Sequence, residues 1–321
     1  MDVITCGEVL VDFFATEVGV DLAEATRFTK APGGAPANVA VGLSRLGHSA
    51  GFLGQVGDDA FGHFLADVLT QNGVDVRGLH FSTEARTGLA FVSLRADGER
   101  DFTFYRHGSA AMHWHVEDLD PSYLAQARVF HYGSISLIQD PARTTTLTAV
   151  HTAAENSALL SYDPNLRLAL WPSPAAARDG MREGWRQAHV IKISEEELRF
   201  LSDVPGLEGA ARGLWHERLR LLAVTQGEHG CTYFTRNSYG HLPAFTIRPR
   251  DTTGAGDAFV AGMLSGLLAA SDAWDEEELE RALTQANAAA ALSATRIGAM
   301  TALPSRERLD RFVRSAAHRS E

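Results

Sequence analysis

Short apolar runs rich in branched residues alternate with helix-like stretches along almost the whole chain. Runs over residues 3–7, 50–56, 129–133, 158–163, 190–194, 219–225 and 231–235 predict strands. Residues 37–46, 61–72, 142–156 and 195–201 predict helices between them. Nearer the C-terminus, Leu279, Ala282, Leu283, Ala286 and Ala290 recur at helical spacing. Such alternation implies an α/β fold, a parallel sheet with helices on both faces. Ligands of these sheets collect at the carboxyl ends of the strands. Two stretches break the pattern. Residues 13–31 are extended and polar. Residues 87–106 alternate through Leu89, Phe91 and Ser93, then Phe102 and Phe104, about a turn at Ala96-Asp97-Gly98-Glu99. Together they predict a small separate β layer covering a cleft. No repeat or low-complexity linker marks a second domain.

Composition narrows the function. At 321 residues the chain can bury a large core. A formal net charge of -11 disfavours a nucleic-acid partner, because an acidic surface repels phosphate backbones. Cys6 and Cys231 lie in strand-like runs and read as buried thiols of a reducing compartment. Neither a signal peptide nor a membrane-length apolar run is evident, so a soluble cytoplasmic protein is expected.

The densest chemistry lies in Asp251-Thr252-Thr253-Gly254-Ala255-Gly256-Asp257, which opens onto the apolar run Phe259, Val260, Met263, Leu264 and Leu267. That order predicts a tight turn entering a helix, whose first N–H groups have no intrahelical partner and face an anion. Asp257 falls in the first turn, beside that anion. A carboxylate held against a phosphate has an evident use in taking a proton from a nucleophile. The helix end is expected to favour its charged form and leave it a weak base. Neither G-x-G-x-x-G after the first strand nor G-x-x-x-x-G-K-[ST] occurs, which argues against both familiar nucleotide loops. Upstream, Gly33 and Gly34 in Pro32-Gly33-Gly34-Ala35-Pro36-Ala37-Asn38 permit close backbone approach. Asn38 adds a donor and an acceptor, a combination suited to a polyol.

This pair of motifs resembles the PfkB family of carbohydrate kinases, with the ribokinase-like fold. Gly7-Glu8-Val9-Leu10-Val11-Asp12-Phe13, Phe102 to Arg106, Asp163-Pro164-Asn165-Leu166-Arg167, Lys192 to Leu198 and Thr225-Gln226-Gly227-Glu228-His229-Gly230 are similar to fructokinase sequences, in family order. The resemblance implies one three-layer α/β/α domain over 1–316, with lid segments inserted near 13–31 and 87–108. It also implies that ATP with Mg²⁺ donates its γ-phosphoryl group to a sugar. Asp257 would be the general base, and the N–H groups of Gly254, Ala255, Gly256 and Asp257 the anion hole. Asp12, Gly33, Gly34 and Asn38 would hold the sugar hydroxyls. Arg106 would reach the sugar and Arg167 the phosphate oxygens. Lys192, Thr225, Gly227, Gly230 and Asn287 would line the nucleotide side.

Glu197 would serve the metal from an outer shell, although Ser194 stands where the family usually has asparagine. Asp251 and Thr253 would neighbour K⁺, although Ala302 brings no side-chain oxygen where ribokinases carry serine. Family members often dimerise through the lid, so a homodimer is expected. His113 and His115 read as surface-loop residues and Asp275 to Glu278 as the acidic first turn of a helix. Trp171, Trp185 and Trp215 read as packing residues. The expected activity is phosphorylation of fructose to fructose 6-phosphate. Ribose, 2-keto-3-deoxygluconate, phosphosugar and nucleoside specificities, and a catalytically silent sugar binder, are the alternatives.

Overall fold

The computed structural model describes residues 1–94, 100–271 and 273–317. Its strands in chain order are β1 (Val3–Cys6), β2 (Leu10–Val18), β3 (Phe28–Gly33), β4 (Ala50–Gly57), β5 (Asp75–Ser82), β6 (Leu89–Leu94) and β7 (Arg100–Tyr105). Then follow β8 (Val129–Gly133), β9 (Leu159–Asp163), β10 (Val190–Ser194), β11 (Leu221–Thr225), β12 (Cys231–Phe234) and β13 (Tyr239–Leu242). Among the described residues, nine strands form a main sheet ordered β13-β12-β11-β10-β9-β8-β1-β4-β5. Its strands are parallel from β11 to β5, and β12 and β13 return antiparallel. The other four form a small second sheet, β3-β2-β6-β7. The fold is α/β, as the alternation implied.

Strand alternation sets the layers. Ile4, Phe130, Tyr132, Leu160, Tyr162, Ile191, Leu222 and Val224 face one core with residues of the Ala142–Glu155 and Pro174–Trp185 helices. Val3, Val129, Val190, Leu221 and Ala223 face the other, closed by the Ala35–Arg45, Ala255–Ala269 and Glu276–Ala294 helices. Burial on both faces is why the parallel strands read as nearly continuous apolar runs. Asp275 and Glu278 form a reciprocal capping box at the start of the last of these helices, so its acidic first turn is a cap. Asp59 caps the Ala60–Gln71 helix and also accepts from Thr87 N and Oγ1, tying that helix to the start of the lid.

All seven predicted strands occur, displaced by no more than two residues at either end. Two others had no apolar run to announce them. β5 and β13 are edge strands with half-exposed faces, and β13 alternates exposed and intermediate positions. The lid strand β2 begins at Leu10, upstream of the predicted lid segment, so Asp12 belongs to the lid sheet. The expected turn at residues 96–99 lies outside the described residues. Cys6 and Cys231 are buried free thiols, and His113 and His115 are exposed. Trp185 packs in the first core with Trp215 against it, and Trp171 packs with Leu137 and Ala177. No helix among the described residues is long and apolar enough to cross a membrane.

The Ala255–Ala269 and Glu276–Ala294 helices meet along a seam of small residues. A Cβ on Gly262 would lie 2.8 Å from Ala286 Cα, and one on Gly266 only 2.5 Å from Ala282 Cα. Backbone cannot yield as a flexible side-chain tip does. Gly266→Ala is therefore expected to cost about 1–3 kcal/mol through overpacking. Thermal unfolding should show a fall of several degrees, and an unchanged midpoint would contradict the closeness of this seam.

Candidate active site

The site begins as a change of polarity along one face of the main sheet. On the face turned toward the Ala255–Ala269 helix, Val3 gives way to Thr5, Val129 to His131 and Val190 to Lys192. Thr5, His131 and Ser161 are register partners on adjacent strands, and all three are buried. His131 Nδ1 lies 3.0 Å from Ser161 Oγ. Burial, reinforced by the nearby Lys192 charge, pushes the His131 pKa down to about 3. Beyond this row, Lys192 Nζ donates to Asp163 Oδ2 at 3.0 Å. Burial opposes the Lys192 charge, but Asp163 and Glu197 outweigh it and raise its pKa. The other Asp163 oxygen accepts from Asn165 N at 3.1 Å, fixing the turn that presents Arg167.

Above this polar end sits the start of the Ala255–Ala269 helix. Gly254 occupies the left-handed region at φ 75°, and a Cβ there would meet Ala299 at 2.8 Å. No side chain caps this end, but Ala255 N already donates to Thr252 O at 3.1 Å, which leaves Gly254, Gly256 and Asp257 to offer N–H groups there. Asp251 secures the loop before it, accepting from Thr253 N and Oγ1 at 2.9 and 2.7 Å and from Gly298 N at 2.9 Å. Asp257 accepts a 2.7 Å hydrogen bond from Asn38 Nδ2, which joins the two glycine motifs across 219 residues of sequence. The other Asn38 side-chain atom, Oδ1, is buried without a partner among the described residues. A buried acceptor left open in this way marks the place of a missing donor.

Two cavities meet at this helix start. The first, of about 290 Å³, is lined by Glu8, Asp12, Gly34, Asn38, Arg106, Asn165, Arg167, Lys192, Thr253, Gly254, Gly256 and Asp257. The second is a wider, more apolar cleft of about 690 Å³, lined by Thr225, Gly227, Gly230, Phe245, Ala255, Phe259, Asn287 and Ala290 among others. Thr252 and Gly256 line both. Thus the expected polyol, catalytic and nucleotide residues converge on one junction.

Four residues sit differently from their neighbours in sequence. Lys192 opens on the polar cavity and not on the apolar cleft where it was expected. Gly33 lines neither cavity; a Cβ there would lie 2.1 Å from Asp12 Oδ2, so its bareness makes room for that carboxylate. Glu197 also stands back, accepting from Leu166 N at 2.5 Å and Ser194 N at 2.9 Å. It clamps the Arg167 turn. Asp251 lies beneath the cavity, and only Thr253 of that pair lines it. Glu8 was not singled out as a site residue. Its signal was position: an acid two residues beyond a parallel strand's carboxyl end.

Burial reverses the expectation that Asp257 is a weak base. Desolvation raises its pKa to about 6, with Asp163 adding to the rise, while Asn38, Lys192 and Arg167 pull it down. Asp12 is raised further, to about 7, by burial above all and by the Asp257 charge, against the pull of Arg167. A carboxylate charging near 6 is a far better proton acceptor at neutral pH than an exposed one.

Residues 1–306 match the model of the pfkB family of carbohydrate kinases. The chain belongs to that family. A probable fructokinase-7 of Arabidopsis thaliana is 50% identical over 319 residues, covering 98% of this chain and 92% of the relative. Among solved structures, a fructokinase with bound ATP from Xylella fastidiosa superposes with a TM-score of 0.91. It is 34% identical, over 98% of this kinase and 99% of that chain. A fructokinase double mutant from Vibrio cholerae O395, bound to fructose, ADP and potassium ion, gives 0.86 at 35% identity, over 98% of each chain. The pair of raised carboxylates then makes a prediction for this kinase. Its kcat/KM should rise with pH through an acid limb between about 6 and about 7. Asn38→Ala removes a hydrogen bond that stabilises the charged Asp257, so the limb should move to higher pH. A limb near 4 in the parent enzyme would contradict the assignment.

Proposed function

We propose that this kinase transfers the γ-phosphoryl group of ATP to fructose, making fructose 6-phosphate, with Asp257 as the general base. One observation carries the reading: a buried carboxylate of raised pKa stands at the junction of a polyol-sized polar cavity and an apolar cleft. Asp12, Gly34 and Asn38 hold sugar hydroxyls, with Asn38 Oδ1 as an open acceptor. Asp257 takes the proton of the attacking hydroxyl. The N–H groups of Gly254, Gly256 and Asp257 receive the developing charge on the transferring phosphoryl group, while Ala255 N, expected among them, is held by Thr252 O. Lys192 and Arg167 stand on the same wall and add positive charge there. The adenine side of the nucleotide occupies the cleft between Phe245, Phe259 and Asn287, with Thr225, Gly227 and Gly230 along its rim.

Mg²⁺ fits this arrangement as an ion carried on the nucleotide's phosphates, since it keeps most of its water and needs few protein ligands. Bound there, it would neutralise charge on the phosphate oxygens. K⁺ would belong beside Asp251 and Thr253, where it would steady the loop preceding the anion hole. The fructose and ADP held by the Vibrio cholerae fructokinase, and the ATP held by that of Xylella fastidiosa, support the choice of substrates. The enzyme is expected to work in the cytoplasm.

ATP consumption with Mg²⁺ should favour fructose over ribose, 2-keto-3-deoxygluconate, glucose, adenosine and fructose 6-phosphate. Preference for another sugar would retire fructose and leave the chemistry. Asp257→Asn should lower kcat about a thousandfold or more with sugar binding kept. Because the buried charge costs stability, the same variant should unfold at a higher temperature than the parent at pH 8. Parent-like turnover would sink the base assignment.

The lid carries exposed apolar surface, with Tyr105 63% exposed, and its outer strands β3 and β7 offer unpaired edges. These features support a homodimer joined through this sheet. Light scattering at micromolar concentration is expected to give twice the 34.7 kDa chain mass. A monomer throughout would exclude it.

A further inference from the structure

Two short turns in the wall of the polar cavity have a second hollow behind them. Ile135–Leu137 form one turn and Leu168–Leu170 the other. Ile135, Arg167 and Leu170 line the polar cavity, whereas Leu137, Ile138 and Trp171 line a separate cavity of about 540 Å³. Neighbouring residues of each turn thus face opposite cavities. The turns are tied at their starts, because Ser134 N and Oγ both donate to Pro164 O. Trp171 is 8% exposed, and its Nε1 has no hydrogen-bond partner among the described residues. Packing alone holds the ring. Its far edge fills the space left by Gly180, where a Cβ would lie 2.2 Å from Trp171 Cη2.

The opposite wall is the Pro174–Trp185 helix, and it carries charge. Arg143 and Glu183 neutralise each other through two hydrogen bonds of 2.8 and 2.9 Å. That leaves Arg182 and Arg186 against a single acid, Asp179. Arg182 uses only Nη2, on Leu201 O at 2.8 Å and on the exposed Asp203 at 3.8 Å. Arg186 stands exposed at the C-cap, and its side chain has no partner among the described residues. Four residues apart, the two guanidinium groups are neighbours on one helix face, where like charges repel. An anion between them removes that repulsion. In a chain of net charge -11, this is a local excess of positive charge beside an apolar floor.

We propose that this second cavity is a regulatory site for a phosphate monoester with a compact apolar body. The phosphate oxygens bridge Arg182 and Arg186 in the manner guanidinium favours, and the body lies on Leu137, Ile138 and Trp171. A dianion matches two guanidinium groups; a carboxylate leaves one unmatched. Filling the hollow steadies both turns, and with them Arg167 on their other side. The ligand is therefore an activator that never touches the reacting atoms. This goes beyond the kinase reading and does not depend on which sugar is phosphorylated.

Phenyl phosphate is the probe, since it has both required parts and neither sugar nor nucleotide. Titration calorimetry on the full chain should show saturable binding with a Kd below about 1 mM. Arg186→Glu reverses the charge of an exposed side chain and should weaken that binding about tenfold or more, with turnover in the absence of probe unchanged. Saturating probe should raise kcat/KM for the sugar about fivefold in the parent and leave the variant unmoved. By linkage, saturating sugar should tighten phenyl phosphate binding, a readout that needs no turnover. The first titration contains neither sugar nor ATP, so a wrong sugar assignment leaves its outcome untouched. Absence of saturable binding, or equal affinity in Arg186→Glu, overturns the site. Displacement of the probe by ATP places it at the anion hole and overturns the site as well. Binding that changes neither turnover nor sugar affinity overturns the regulatory role.

Discussion

The hydrogen bond from Asn38 to Asp257, 2.7 Å long and buried, is the contact on which the site is built. It ties the helix that follows the first glycine motif to the helix that follows the second. Each helix is set by a glycine that no other residue could replace without strain. Gly34 sits at φ 107° with Glu8 O 2.4 Å from where its Cβ would be, and Gly254 at φ 75° against Ala299. Because both helices are anchored in the same core, their N-termini cannot drift apart without opening it. The polar cavity and the apolar cleft meet where those two ends converge.

Holding Asp257 there has a stability cost with a definite sign. Its pKa is raised from an ordinary 3.8 to about 6, so the unfolded chain ionises first as pH rises. The cost appears above 3.8 and is complete above about 6, reaching about 3 kcal/mol. That is a sizeable share of the stability of a typical domain. The cost falls on the carboxylate proposed to accept a proton. Asp12 in the same cavity is raised as well, whereas acids away from the site go the opposite way: Asp59 caps a helix and Asp75 binds Arg77, and both have lowered pKa values.

Much of this was legible in the chain. Parallel strands buried on both faces left apolar runs, and glycine-rich turns before helices left motifs with one physical use. Asn38 and Asp257 could be named from their places beside such turns, and Asp12, Arg106 and Arg167 from the resemblance to the family. What escaped detection had no local signature. The edge strands β5 and β13 are half-polar, so their alternation resembles loop sequence. Lys192 looked like a nucleotide contact until its register on β10 turned it toward Asp163. Glu197 looked metal-directed, but its oxygens hold two backbone amides.

Sequence alone determined the periodicities, the turns that demand glycine and the set of chemical groups available, because these depend on neighbours within a few residues. Tertiary structure decided which groups meet and what charge they carry. Asp257 shows the difference: its place at a helix start argued for a weak base, and its burial made it a stronger one. Burial, register and distance are sums over residues far apart in the chain. Only packing sets them.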